Sequence, residues 1–210
     1  EGYLITPEVL PYGEYSLVEV QAPYGYVLDK TPVSFSVSSE NAEEENSLTI
    51  VKVEKQNTAQ KGKISVHKTG DIFTSVATAS SAYTNENGEM IVNPTTYTPV
   101  FANGDLSGAV FQITAKEDIV TLDGTIRAYA GDVVSEITTD ENGYAETEPL
   151  YLGKYEVREI KAPYGYVLNN EPKDVELTYA GQEFEVRDTV NTAFENEYQS
   201  VRISLSKVME

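Results

Sequence analysis

One fourteen-residue stretch occurs twice, and it restricts the possible folds more than any other feature of the chain. The second copy reads Tyr155-Glu156-Val157-Arg158-Glu159-Ile160-Lys161-Ala162-Pro163-Tyr164-Gly165-Tyr166-Val167-Leu168, and the first reads Tyr15-Ser16-Leu17-Val18-Glu19-Val20-Gln21-Ala22-Pro23-Tyr24-Gly25-Tyr26-Val27-Leu28. As a strand of period two, Tyr155, Val157 and Glu159 share one face while Glu156 and Arg158 share the other. The face with Tyr155 and Val157 is the one a sheet buries, so Glu159 points into the core. An ionised carboxylate there is costly unless it is paired or protonated. Glu19 holds the same place relative to Tyr15 and Leu17, and the recurrence argues for a role.

The match extends beyond this stretch. Residues 6–15 correspond to 147–155, and Gly62-Lys63-Ile64-Ser65-Val66-His67-Lys68 corresponds to Val201-Arg202-Ile203-Ser204-Leu205-Ser206-Lys207 at an offset of 139. The chain therefore reads as about one and a half units of a longer tandem array. Residues 1–60 are expected to end one repeat, 61–198 to form a complete repeat, and 199–210 to begin a third.

Composition bears on what can hold such a repeat together. The chain has no cysteine, which excludes disulfides, thiolate metal sites and cysteine nucleophiles. Its 34 acidic and 15 basic residues leave a net charge of -19, against nucleic acid or direct membrane association through phosphates. No apolar run approaches the roughly 20 residues of a membrane span, and the opening residues do not read as a signal peptide. A processed or excised piece of an extracellular protein is expected. Fifteen tyrosines, abundant Val and Thr, and regularly spaced turn pairs point to an all-β sandwich without helices of any length.

Within the complete repeat, residues 62–68 read as a first strand with Ile64, Val66 and Lys68 inward and Ser65 and His67 outward. Residues 69–107, rich in Ser, Thr, Ala, Asn and Gly, read as a long insertion with strands of its own and a hairpin signal at Asn87-Gly88. Strands are expected over 108–115, 125–130, 133–139, 173–179 and 183–186, with a tight turn at Asp140-Glu141-Asn142-Gly143. The last strand ends Phe194-Glu195-Asn196-Glu197-Tyr198, with Phe194, Asn196 and Tyr198 on one face.

Lys68, Glu159 and Asn196 are thus three polar side chains aimed inward from the beginning, late middle and end of one domain. A sandwich commonly sets its first and last strands side by side, which would bring Lys68 to Asn196 with Glu159 across from them. Burial favours the neutral amine and the neutral acid. A neutral Lys68 could attack the Asn196 carboxamide, with Glu159 polarising the carbonyl and shuttling protons. The same parity also fits a non-covalent buried ion pair with an amide partner.

Residues 61–198, apart from the insertion, resemble a Cna protein B-type domain, also called SpaA-like or prealbumin-like, of Gram-positive pilins and surface adhesins. The resemblance rests on the inward lysine of 64–68, Gly108-Ala109-Val110-Phe111, the Asp140-Glu141-Asn142-Gly143 turn, Glu159 followed by Ala162-Pro163-Tyr164-Gly165-Tyr166, and Phe194-Glu195-Asn196. It implies a prealbumin-like, immunoglobulin-like sandwich on an exported, wall-attached protein, with Lys68 and Asn196 joined by an internal isopeptide bond and Glu159 as the catalytic acid. No cofactor or metal is implied. Two departures stand out: the 69–107 insertion is longer than the usual first connection, and no sorting signal lies within the chain.

By the same logic Glu19 and Asn57 are the acid and acceptor of the preceding repeat, and Lys207 is the amine of the following one. Lys55 shares the strand face of Asn57, and Asn46 is a rival acceptor. His67, the only histidine, reads as a surface residue. The acidic run Glu40-Asn41-Ala42-Glu43-Glu44-Glu45 reads as a solvated hairpin tip rather than a calcium site. The resulting expectation is a stalk or spacer repeat whose partners are its neighbours in the chain. The rival expectations are an adhesin domain binding a host matrix protein or glycan through 69–107, and a polysaccharide hydrolase, for which no carboxylate pair is singled out.

Overall fold

The computed structural model describes residues 2–40, 43–45 and 48–204. Lys207 and Asn46 lie outside the described residues. Among the described residues there is no helix.

Residues 61–198, the segment expected to form a complete repeat, are built on two facing sheets. One is antiparallel, in the spatial order Val133–Thr138, Val110–Ala115, Gly153–Lys161, Lys173–Leu177. The other sets the long strand Ile64–Ala79 between Tyr144–Glu146, antiparallel to it, and Val190–Asn196, parallel to it. Alternation explains the core: Ile64 and Val66 from one sheet meet Phe111, Ile113, Tyr155, Val157 and Leu177 from the other, all buried. Apart from Ser65, the outward residues between them stay at least partly wet.

Two sequence expectations are corrected in the second sheet. The first strand does not stop at Lys68; it runs on to Ala79 and pairs over Thr69–Ala79 with Thr96–Asp105. The insertion is therefore a two-stranded ribbon growing out of the sandwich. A small hairpin, Ala82–Thr84 with Met90–Val92, closes its tip around the expected Asn87-Gly88 turn. The last strand ends at Asn196, and Tyr198 does not point inward. It bridges to Tyr166 and stacks on Phe101 of the ribbon at 4.4 Å.

Residues 183–186 form no strand. Val186 makes a single parallel bridge to Lys61, and the turn before it is held by Gln60, a buried residue of the preceding segment. Ser65, expected outward, is buried because its hydroxyl bonds the Asn191 side chain. His67 lies on the outer face, stacked on Tyr144 and 2.9 Å from Asp105.

Residues 1–60 hold an antiparallel pair, Gly13–Leu17 with Val33–Val37. The acidic run contributes a strand, Glu43–Glu45, paired with Leu48–Ile50, so its described part is a hairpin arm and not the tip.

Candidate functional site

The three inward polar residues of the complete repeat meet. Lys68 and Glu159 have no solvent exposure and Asn196 has 3%. The Lys68 ammonium donates to Asn196 Oδ1 and lies 3.5 Å from Glu159 Oε1. Asn196 Nδ2 donates to Glu159 Oε1 at 2.9 Å and Oε2 at 3.1 Å. The carboxamide thus turns its oxygen toward the amine and its nitrogen toward the acid, an O/N assignment fixed by the hydrogen-bond partners.

Backbone geometry brings this about. In the parallel register Lys68 sits opposite Phe194 and Asn196 opposite Gly70, so the lysine stem needs to reach only two residues along the neighbouring strand. Gly70 permits the approach, because a Cβ there would lie 2.6 Å from the Asn196 carbonyl oxygen. Lys68 is pinned at both ends of its own peptide: its N–H donates to Gly143 O at 2.7 Å, and its carbonyl accepts from Leu106 N at 3.0 Å. Gly143 has φ of 72°, and a Cβ there would lie 2.4 Å from that carbonyl, so the Asp140–Gly143 turn requires glycine. Asp140 caps the turn by accepting from the amides of Asn142 and Tyr144, each at 2.9 Å, which accounts for its carboxylate without a metal.

Glu159 is aimed by a β-bulge. Phe111 pairs with Glu159 and Val110 with Lys161, leaving Ile160 as the extra residue on the strand. The Asn169 amide, which sequence reasoning did not single out, donates to Glu159 Oε2 at 3.0 Å. Oε1 in turn faces both Lys68 Nζ and Asn196 Nδ2. Phe194, packed against Phe111 with ring centroids 4.8 Å apart, helps wall the site from water. Burial pushes the Lys68 amine below the usual lysine range, against an opposing pull from Glu159.

Glu19 and Asn57 repeat the acid–carboxamide half of this arrangement. Asn57 Nδ2 donates to both Glu19 oxygens at 2.8 Å, and the Asp29 amide, at the position of Asn169, donates to Glu19 Oε2 at 3.0 Å. Lys55 is elsewhere: it binds Asp29 Oδ2 at 2.9 Å and Thr31 O at 2.7 Å. Both Glu19 and Asn57 are half-buried. Among the described residues no group of three or more His, Asp and Glu side chains is placed to hold a metal ion.

The SpaA prealbumin-like fold domain matches residues 1–52 and 100–192. The chain belongs to that family. The matched residues include Glu19 and Glu159 and leave Lys68, Asn57 and Asn196 outside. The Bacillus anthracis TIE protein superposes over 90% of this chain and 26% of its own, with a TM-score of 0.51 and 26% identity. A weaker likeness, TM-score 0.39 at 16% identity over 90% of this chain and 66% of the other, is to the Streptococcus agalactiae minor pilin GBS52. Over 43 residues, 20% of this chain, the sequence is 42% identical to the trypsin-resistant surface T6 protein of Streptococcus pyogenes serotype M6, and the aligned part is 8% of that protein. The chain thus spans about a quarter of the Bacillus anthracis protein, and its match to the Streptococcus pyogenes protein covers under a tenth of that protein.

Proposed function

We propose that this chain is a length of load-bearing tandem repeats from a Gram-positive surface protein, and that its complete repeat is closed by an amide bond between Lys68 and Asn196. Residues 1–60, 61–198 and 199–210 are then the end, the whole and the start of three successive repeats. The observation that carries the reading is the convergence of an amine, a carboxamide and a carboxyl group within hydrogen-bonding reach in a site closed to water.

The chemistry balances within the site. The neutral Nζ of Lys68 attacks Asn196 Cγ, forming the Nζ–Cγ bond. Glu159 takes the surplus proton from Nζ and delivers it to Nδ2; the Cγ–Nδ2 bond breaks and ammonia leaves. One carboxyl group serves both steps, because Oε1 lies between the two nitrogens. Folding supplies the proximity, and the lowered lysine basicity supplies the nucleophile. The reaction happens once per domain, in cis, so the repeat is its own substrate and not a turnover enzyme.

The parallel pairing gives the bond a mechanical meaning. Tension entering before Ile64 and leaving after Asn196 would pass from one strand to its neighbour through the cross-link. Residues 69–195, most of the sandwich, would carry none of it. The link closes a loop of about 130 residues, worth about 5 kcal/mol by analogy with the loop-entropy estimate for disulfides. A place in the cell wall or a surface appendage follows from the family resemblance and from the named surface protein of Streptococcus pyogenes. Tryptic mapping tests the reading: a branched peptide joining the Lys68 and Asn196 segments is expected, and two separate linear peptides would refute it.

A second reading is favoured by the ribbon, whose Phe73, Tyr83 and Tyr97 are each more than half exposed. It would make 69–107 an adhesive surface for a host matrix protein or glycan. A binding screen on the chain with and without the ribbon decides it: loss of a bound ligand on deletion supports adhesion, and equal binding removes it.

A further inference from the structure

The junction between the half-repeat and the complete repeat is made by an interdigitated pair of glutamines. The Gln60 side chain, 1% exposed, enters the 180–184 loop, where Nε2 donates to Gly181 O at 2.6 Å and Phe184 O at 2.7 Å. Its Oε1 accepts from the Ala180 amide at 2.8 Å. All polar capacity of its amide nitrogen is used, so the loop is shaped to a carboxamide. Gln182 answers from the other side: its Oε1 accepts from Ala22 N, and its backbone carbonyl from Leu28 N, each at 2.9 Å. Tyr24 packs on Tyr179 with ring centroids 4.7 Å apart.

The far end of the complete repeat rebuilds the same half of this joint. Gln199 N donates to Gly165 O at 2.7 Å, as Gln60 N does to Gly25 O at 2.8 Å. Val167 N to Glu197 O repeats Val27 N to Thr58 O, both 2.9 Å. The bridge Tyr166 to Tyr198 repeats Tyr26 to Ala59. Yet the Gln199 side chain is exposed, and Tyr164, the counterpart of Tyr24, is fully exposed. Ile203, the counterpart of the buried Ile64, is 88% exposed. One contact does not transfer: Tyr26 OH accepts from Asp123 N, whereas Tyr166 OH is committed to Asp71 O of the ribbon.

From this we infer that Gln199, with Tyr164, is a docking latch for a following repeat of the same kind, whose loop equivalent to 180–184 receives the Gln199 carboxamide. Successive repeats are then locked end to end at a fixed angle, and the glutamine is the specificity element of the joint. The inference rests on the tandem-repeat reading and is independent of the Lys68–Asn196 bond.

The test uses a tandem chain in which residues 1–199 are followed by a second copy of residues 61–198, with only the second copy isotope-labelled. Amide exchange at the second-copy Ala180 is expected to speed up by about tenfold in Q199A, which removes the acceptor of that amide, the size of one lost buried hydrogen bond. In the 210-residue chain itself, Q60A should raise exchange at Ala180 by a similar factor. Unchanged exchange at Ala180 in either Q199A or Q60A overturns the latch. Intact mass, measured on the same samples, reports the amide bond separately, so loss of one reading is distinguishable from loss of the other.

Discussion

Glu19 and Glu159 receive the same two contacts, a carboxamide from the end of the repeat and a backbone amide ten residues downstream, but only Glu159 is sealed from solvent. The likeness extends outward. Tyr15 OH donates to Pro11 O and Tyr155 OH to Tyr151 O, each four residues back. Tyr155 is nevertheless buried at 2%, while Tyr15 is half-exposed; Val157 is fully buried, while its counterpart Leu17 is exposed at 40%. The difference is the second sheet, which the half-repeat does not have among the described residues. The comparison teaches that local sequence suffices to join acid and carboxamide, through the strand, the Ala-Pro-Tyr-Gly-Tyr turn and the returning segment. Burial, and with it the amine, comes from long-range pairing with Ile64–Ala79. The sealed cluster of amine, acid and carboxamide belongs to the two-sheet sandwich, not to the motif alone.

The sharpest way to break the comparison is to remove the amine. Lys68→Ala should lower the stability of the complete repeat by at least about 5 kcal/mol, since the loop constraint goes and the buried lysine stem leaves a cavity. Denaturant unfolding followed by tyrosine fluorescence measures it, and a change confined to about 1 kcal/mol would mean that no cross-link was lost. Gly143→Ala comes next. Its positive φ and the short approach to the Lys68 carbonyl should cost about 1–3 kcal/mol, and bond formation should slow because the lysine backbone is displaced. Wild-type kinetics after this substitution would detach the turn from the site.

A smaller effect is expected from pH in Asn196→Ala, which cannot link. The Lys68 amine is held below its unfolded value by burial, so the unfolded chain binds a proton that the folded chain releases. Stability should therefore rise as the pH climbs from the folded value toward the ordinary lysine range, about 10.4, and level off above it. The same titration with Lys68→Met added removes this slope; a slope that survives assigns it to other groups. In the half-repeat, Asn57→Ala should cost about 1 kcal/mol, seen as faster exchange of the amides around Asp29 with the complete repeat unaffected. Global unfolding by this substitution would contradict the independence of the two regions. Last, Lys55→Ala should leave the intact mass of the folded chain altered only by the side chain itself, since Lys55 is bound to Asp29 and Thr31 and is not the missing amine.

Much of the site was legible because burial parity is a strict code. Ile64, Val66 and Lys68, then Tyr155, Val157 and Glu159, fall inward as alternation requires. The ribbon was not legible in the same way. Beyond Gly70 nearly every residue of the long strand is exposed on both faces, so no apolar alternation marks it as a strand, and its Ser, Thr and Ala content reads as loop. Tyr198 and residues 183–186 were misassigned for a related reason: their partners are Phe101 of the ribbon and Lys61 and Gln60 of the preceding segment, contacts that no local pattern encodes. Lys55, which shares the strand face of Asn57, is drawn away to Asp29, whose place beside it depends on the returning turn. The Asn169 amide is not legible in sequence, because a backbone donor carries no residue signature.

The central claim concerns a covalent bond, and the intact mass of the folded, purified chain tests it most directly. The predicted result is a mass lower than the sequence mass by one ammonia, with the ammonia retained in Glu159→Ala and in Lys68→Ala. A folded wild-type chain at its full sequence mass would contradict it, and would leave Lys68, Glu159 and Asn196 as a buried but unreacted polar cluster.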